Sequence, residues 1–239
     1  MDQYVLYTVT ELGYFGCEHG AIIGYLSEPD HLSAEDDAPP VRQEACRVTD
    51  TFDFSTFPTL TSERVVLRQF EPEDAADLFV WRSDPEVQKY NSEPMRDVRQ
   101  AAQLIEDLRR EYSAQRSIHW AVTLSGEGRA VGLFGFVSWE RFHHRAEAGY
   151  DLRRDHWGRG IATEALGAML RFGFTRMRLN RVEAQTIADN HESVRLLQRL
   201  GFHREGLRRA YSLEEEGTYH DGAIYGLLRR DYRPSSRQA

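Results

Sequence analysis

Trp157-Gly158-Arg159-Gly160-Ile161-Ala162 is the stretch on which the fold turns. It follows a strand-like segment, Ala146 to Leu152, and opens a helix whose apolar residues recur at Ile161, Ala165, Leu166, Met169, Leu170 and Phe174. Two glycines strip side chains from the first turn, so a phosphate can approach the backbone closely. The N–H groups of that turn and the positive end of the helix dipole make an anion site, and Arg159 adds a charge beside it. An ordinary glycine-bearing turn between strand and helix is the plain alternative. Gly158-x-Gly160-x-x-Thr163 also approaches the G-x-G-x-x-G fingerprint of dinucleotide folds. That fingerprint follows a buried parallel strand, which reads as a continuous apolar run. Here the preceding segment, Arg145-Ala146-Glu147-Ala148-Gly149-Tyr150-Asp151-Leu152, has a polar face, and Thr163 replaces the third glycine. Dinucleotide binding is the weaker reading.

Working outward, Glu147-Ala148-Gly149-Tyr150 followed by Trp157 to Ala165 resembles the acetyl-CoA motif of the GNAT superfamily of N-acetyltransferases. The resemblance is greatest to the Rim-type branch, the ribosomal-protein-alanine N-acetyltransferases. A second block, Asn190-His191-Glu192-Ser193 with Leu196-Leu197-Gln198-Arg199-Leu200-Gly201-Phe202, agrees with it. So does a third, Tyr219-His220-Asp221 with Tyr225-Gly226-Leu227-Leu228. The blocks stand in the family's order between about Leu60 and Tyr232. Two positions depart from the wider superfamily: Trp157 stands where Gln or Arg is common, and Leu197 where a tyrosine is frequent.

The chain of 239 residues is long enough for one main domain and something extra. Its charge is uneven. Residues 1–60 hold eleven acids against Arg42 and Arg47, a balance of −9, which leaves residues 61–239 at +1. A nearly neutral domain without a basic stripe gives no footprint for nucleic acid. The longest uncharged run, Ala130 to Trp139, is too short to cross a bilayer. The first residues carry acids where a signal peptide needs bases, and Cys17 and Cys46 imply no disulfide framework, so a cytoplasmic protein is expected. His143 and His144 lack partners at ligand spacing; they read as a turn, and no metal is expected.

Patterning gives an acidic extension over residues 1–57, a domain over 58–234 and a tail over 235–239. Strands are expected at Val65–Leu67, His119–Leu124, Val131–Trp139, Ala146–Leu152, Val182–Ile187, Phe202–Tyr211 and Ala223–Leu228. Helices are expected from Glu71-Pro72-Glu73-Asp74, from Asp97 to Ala114, from Gly160 to Met177, and from an Asn190 cap to a Gly201 stop. The resemblance implies the same order, in an α/β (α+β) fold. Its sheet is mixed and mostly antiparallel, flanked by helices and splayed between its fourth and fifth strands.

The resemblance also implies where chemistry would lie. The pantetheine arm of acetyl-CoA, the co-substrate, would pair with backbone at Tyr150, Asp151 and Leu152 as an added strand does. Its pyrophosphate would rest on Trp157, Gly158, Arg159, Gly160, Ile161 and Ala162, with Arg153, Arg154 and Arg159 near the adenosine phosphates. Asn190 would cap its helix and bond the pantetheine amides. Leu197 cannot donate a proton, so Ser193 is the expected acid for the departing thiolate; completing the helix cap is its other role. Glu147 is the first candidate base and Glu183 the second, through water. The acceptor is a primary amine, foremost a protein N-terminal α-amine; an aminoglycoside or polyamine, or a non-catalytic acyl-CoA sensor, are the alternatives. The sequence does not indicate an oligomeric state.

Overall fold

The computed structural model describes residues 52–213 and 217–234. Most of the expected extension, residues 1–51, and the tail at 235–239 lie outside the described residues. Eight strands form one sheet: β1 (Leu60–Thr61), β2 (Val65–Arg68), β3 (Ile118–Leu124), β4 (Ala130–Glu140), β5 (Arg145–Leu152), β6 (Arg181–Ile187), β7 (His203–Leu213) and β8 (Tyr219–Leu228). Their order is β1-β2-β3-β4-β5-β6-β8-β7. Every pairing is antiparallel except β5 with β6, which run parallel.

Among the described residues, five α-helices flank the sheet: α1 (Ala75–Arg82), α2 (Pro85–Gln88), α3 (Val98–Ser113), α4 (Ile161–Thr175) and α5 (His191–Arg199). Successive side chains of a strand point to opposite faces, so neighbours on β5 show which helix covers which face. Asp151 meets α1: Trp81 Nε1 donates to its Oδ1 at 2.9 Å, and Arg82 Nε lies 2.9 Å from its Oδ2. Tyr150 meets α5, where its hydroxyl lies 3.0 Å from Ser193 Oγ. Thus α1 and α5 lie on opposite faces. Both members of the Arg82–Asp151 pair are almost wholly buried. Removing one charge would strand the other, at a cost of about 3–5 kcal/mol.

Local sequence explains the element ends. Asp97 caps α3 by accepting from Arg99 N, and Gln100 returns the bond to the Asp97 backbone. Asn190 accepts from Ser193 N at 3.1 Å and opens α5. Gly201 follows α5 with φ +89°, a conformation that costs glycine little. His143 and His144 lie in the turn between β4 and β5.

One boundary differs from the sequence expectation. Residues 52–57, assigned above to the extension, pack into the core. Phe52 is buried edge-on against Phe172 at 5.2 Å, and Phe57 lies 4.7 Å from Tyr112. Tyr112 Oη donates to Thr56 O at 3.0 Å. We therefore propose that residues 52–57 belong to the folded domain.

Candidate active site

The strand pair β5/β6 holds together only at its start. Arg145, Ala146 and Glu147 are in register with Arg181, Val182 and Glu183, and no pairing follows. Beyond Glu147 the two strands part, because β6 continues along β8 while β5 continues along β4. The edge of β5 at residues 148–152 therefore has no strand partner on the β6 side. Backbone groups so exposed need a partner, and an extended ligand with amide groups can supply it.

At the far end of this opening, the glycine loop enters α4. Gly158 and Gly160 have φ +69° and +76°, and a Cβ at Gly158 would meet nothing within 4 Å. Gly160 is the cap of α4, so the N–H groups of Ile161, Ala162 and Thr163 form the first turn's donor cluster. Trp157 braces the loop from behind: its indole N–H donates to Leu152 O at 2.7 Å. Asp151 offers no side chain to the opening, since its carboxylate is committed to Trp81 and Arg82. Among the basic residues, Arg153 is ion-paired with Asp155, whereas Arg154 and Arg159 have no ion pair among the described residues.

On the α5 face, Asn190 is buried and its Nδ2 has no hydrogen-bond partner among the described residues. A buried donor left this way costs about 1–3 kcal/mol, which a bound carbonyl would recover. One turn on, Ser193 is buried with its hydroxyl against Tyr150. Burial raises the pKa of the Tyr150 phenol, although its bond to Ser193 works the other way. Tyr150 therefore stays protonated and can donate to Ser193, leaving the serine hydrogen for another acceptor. Leu197 is buried in the core.

Glu147 shares the parity of Asp151 and so faces the α1 side. Its carboxylate has no hydrogen bond or ion pair among the described residues. Burial, then the charge of Glu183, raise its pKa, while Arg208 opposes them. Glu183 is in a different state: Arg181 Nε donates to it at 2.6 Å, and Arg145 stands 3.7 Å away. The register thus brings both predicted carboxylates together and leaves Glu147 the less compensated.

Further along this face, Ile187 and His220 help line a cleft of about 620 Å³ with Lys89, Tyr90, Glu93 and Leu213. His220 Nδ1 lies 3.2 Å from Asp189 Oδ2, beside Asn190. Asp221 accepts from Ala210 N at 2.8 Å, ordering the last hairpin. A larger cavity, about 970 Å³, lies between residues 91–97 and α3. Its lining includes Arg82 and Glu93 but none of Glu147, Glu183, Asn190, Ser193 and His220, whereas the smaller cleft holds His220.

Two contributors escaped the sequence reading. The sequence points to Tyr150 only through its backbone and does not point to Arg64. Arg64 Nη1 donates to Arg159 O at 2.9 Å, inside the glycine loop. Its partners lie about a hundred residues away along the chain, so no local pattern signals them. Among the described residues, no group of three or more His, Cys, Asp or Glu is placed to hold a metal ion. None of their helices is long and apolar enough to cross a membrane.

Comparison with known proteins gives a consistent result. Residues 64–203 match the family model for the acetyltransferase (GNAT) domain. The N-acetyltransferase p20 of Bacillus licheniformis is 42% identical over 73% of this chain and 98% of its own length. The [ribosomal protein uS5]-alanine N-acetyltransferase of Escherichia coli K12 is 26% identical over 73% of this chain and 93% of its own. Among solved structures, Mycobacterium smegmatis RimJ in complex with CoA-disulfide superimposes with a TM-score of 0.66. It is 27% identical and covers 75% of this chain and 91% of its own.

Proposed function

The chain belongs to the GNAT acetyltransferase family and is an acyltransferase; from that premise we propose that it moves the acetyl group of acetyl-CoA to the α-amine of a protein N-terminus. The observation that carries this reading is the open edge of β5 after Glu147. The residues around it fit the co-substrate. The β5 edge at residues 148–152 has no strand partner on the β6 side, the buried Asn190 Nδ2 lacks an acceptor among the described residues, and the glycine loop leaves room for a pyrophosphate. Acetyl-CoA supplies the thioester that the amine attacks.

The division of the sheet into two faces separates the two proton transfers. On the α1 side, Glu147 receives a proton from the arriving ammonium, directly or through one water. Its lack of a cationic partner makes it attractive to an ammonium, and its raised pKa brings it closer to neutrality, where a base works best. Glu183, held by Arg181, tunes Glu147 by its charge. On the α5 side, Ser193, hydrogen-bonded to Tyr150, passes a proton to the departing thiolate and recovers one from solvent, while the acylated nitrogen loses its second proton to water. Backbone N–H near Leu152 polarises the thioester carbonyl. Arg154 and Arg159 balance phosphate charge at the loop.

Magnitudes favour an α-amine over lysine. With a pKa near 8, about a tenth of an α-amine is neutral at pH 7, and deprotonation costs about 1 kcal/mol. For lysine near 10.4 the cost is about 4–5 kcal/mol. A single carboxylate suits the easier task. The name of the Escherichia coli relative, an alanine N-acetyltransferase, supports the same acceptor class. The test is CoA release from acetyl-CoA with N-terminal peptides, aminoglycosides and polyamines as acceptors. Release with peptides is expected. Release with only the small amines would overturn the acceptor, and acyl-CoA binding without release to any amine would overturn catalysis.

A further inference from the structure

The glycine loop is held from a side remote in sequence. Glu164, in the first turn of α4, is buried, and its carboxylate accepts from Ser62 Oγ at 2.7 Å, Arg64 N at 2.6 Å and Arg64 Nε at 2.8 Å. Burial alone would raise the Glu164 pKa, but these three bonds outweigh it and lower the pKa, so the group stays ionised. Anchored to this carboxylate, Arg64 extends Nη1 to the carbonyl of Arg159 at 2.9 Å. A Cβ on Gly160 would stand 3.2 Å from Arg64 Nη2, so the bare glycine lets the guanidinium lie close against the loop.

This contact has a consequence through peptide geometry. In a planar trans peptide, the carbonyl of one residue and the N–H of the next point in opposite directions. Among the described residues there is no cis peptide. Fixing the Arg159 carbonyl toward Arg64 therefore turns the Gly160 N–H away from it, to the opposite side of the loop. Without the tether, the Arg159–Gly160 peptide is freer to rotate, because Gly160 can populate both signs of φ. We propose that Arg64 is a positioning residue for the co-substrate. It pins the Arg159–Gly160 peptide so that its N–H is set in advance for a pyrophosphate oxygen, and it need not touch the phosphate itself. This inference rests on the acetyl-CoA reading above.

The test separates positioning from charge and from folding. The protein and its Arg64→Lys and Arg64→Gln variants are compared for CoA affinity by calorimetry, kcat and KM for acetyl-CoA, and Tm. Lysine keeps the charge but cannot bridge Glu164 and the Arg159 carbonyl with a planar fork. Losing a charge-assisted hydrogen bond is expected to weaken CoA binding and raise KM by about 10- to 100-fold in both variants, with kcat nearly kept. Methylguanidinium is expected to recover part of the affinity in Arg64→Ala. Wild-type affinity in Arg64→Lys would show that charge alone matters and overturn the proposal. So would a fall in kcat that tracks a fall in Tm, as a purely structural role requires. Unchanged affinity in every variant would overturn the Arg64 role alone, whereas a wild-type protein that binds no CoA would overturn the co-substrate reading with it.

Discussion

At the scale of single residues, Ser193 does two things that its sequence position mixed together. Its backbone N–H completes the Asn190 cap, and its hydroxyl meets Tyr150 across the sheet. Only the second is lost in Ser193→Ala, because the cap uses the main chain. A thiol with a reference pKa near 8.5 is a moderately basic leaving group, and water substitutes in part. Turnover in Ser193→Ala is therefore expected to fall by about 10- to 100-fold, the low end of general-acid effects. Affinity for acetyl-CoA should hold. Unchanged turnover under conditions where chemistry limits the rate would reduce Ser193 to a packing residue.

At the scale of elements, the three-residue pairing of β5 with β6 sets the chemistry of the base. It places Glu147 directly beside Glu183, and the like charge adds to burial in raising the Glu147 pKa. A base must be ionised to act, so kcat/KM should fall as the pH drops through that raised pKa. In Glu183→Gln the repulsion is gone, the Glu147 pKa drops, and the acid limb of the profile should move to lower pH. A limb that does not move would detach it from this pair. Much at this scale was legible in advance. The helices and central strands announced themselves by period, and Asn190 and Gly201 marked the ends of α5. The two-residue β1 and four-residue α2 were too short to produce a period. The last hairpin was read short because β7 is exposed along most of its length and shows no alternation of apolar residues.

For the whole molecule, the order of the helices and central strands is legible from patterning, and the three sequence blocks agree with it, whereas the long-range ties are not legible. Trp81 to Asp151 spans 70 residues and Arg64 to Glu164 spans 100, and nothing local marks either pair. The same limit hides the packing of residues 52–57. Phe52, Phe54 and Phe57 read as part of an acidic extension, yet Phe52 packs on Phe54 and Phe172, and Trp120 Nε1 donates to Pro58 O at 2.8 Å. Burying a phenylalanine is worth about 3–5 kcal/mol, or on the order of 10 °C in Tm for a domain of this size. Removing residues 1–57 is expected to lower Tm by at least about that amount relative to removing residues 1–51. Equal Tm values in a calorimetric scan would return the boundary to residue 57.

We propose that the open β5 edge, with Glu147 as base on one sheet face and Ser193 as acid on the other, serves an α-amine. It is tested most directly by a peptide carrying both a free N-terminal alanine and an internal lysine, incubated with acetyl-CoA and sequenced by fragment mass. The account predicts a single acetyl group on the alanine nitrogen. Acetylation of the lysine with the α-amine left free would contradict it.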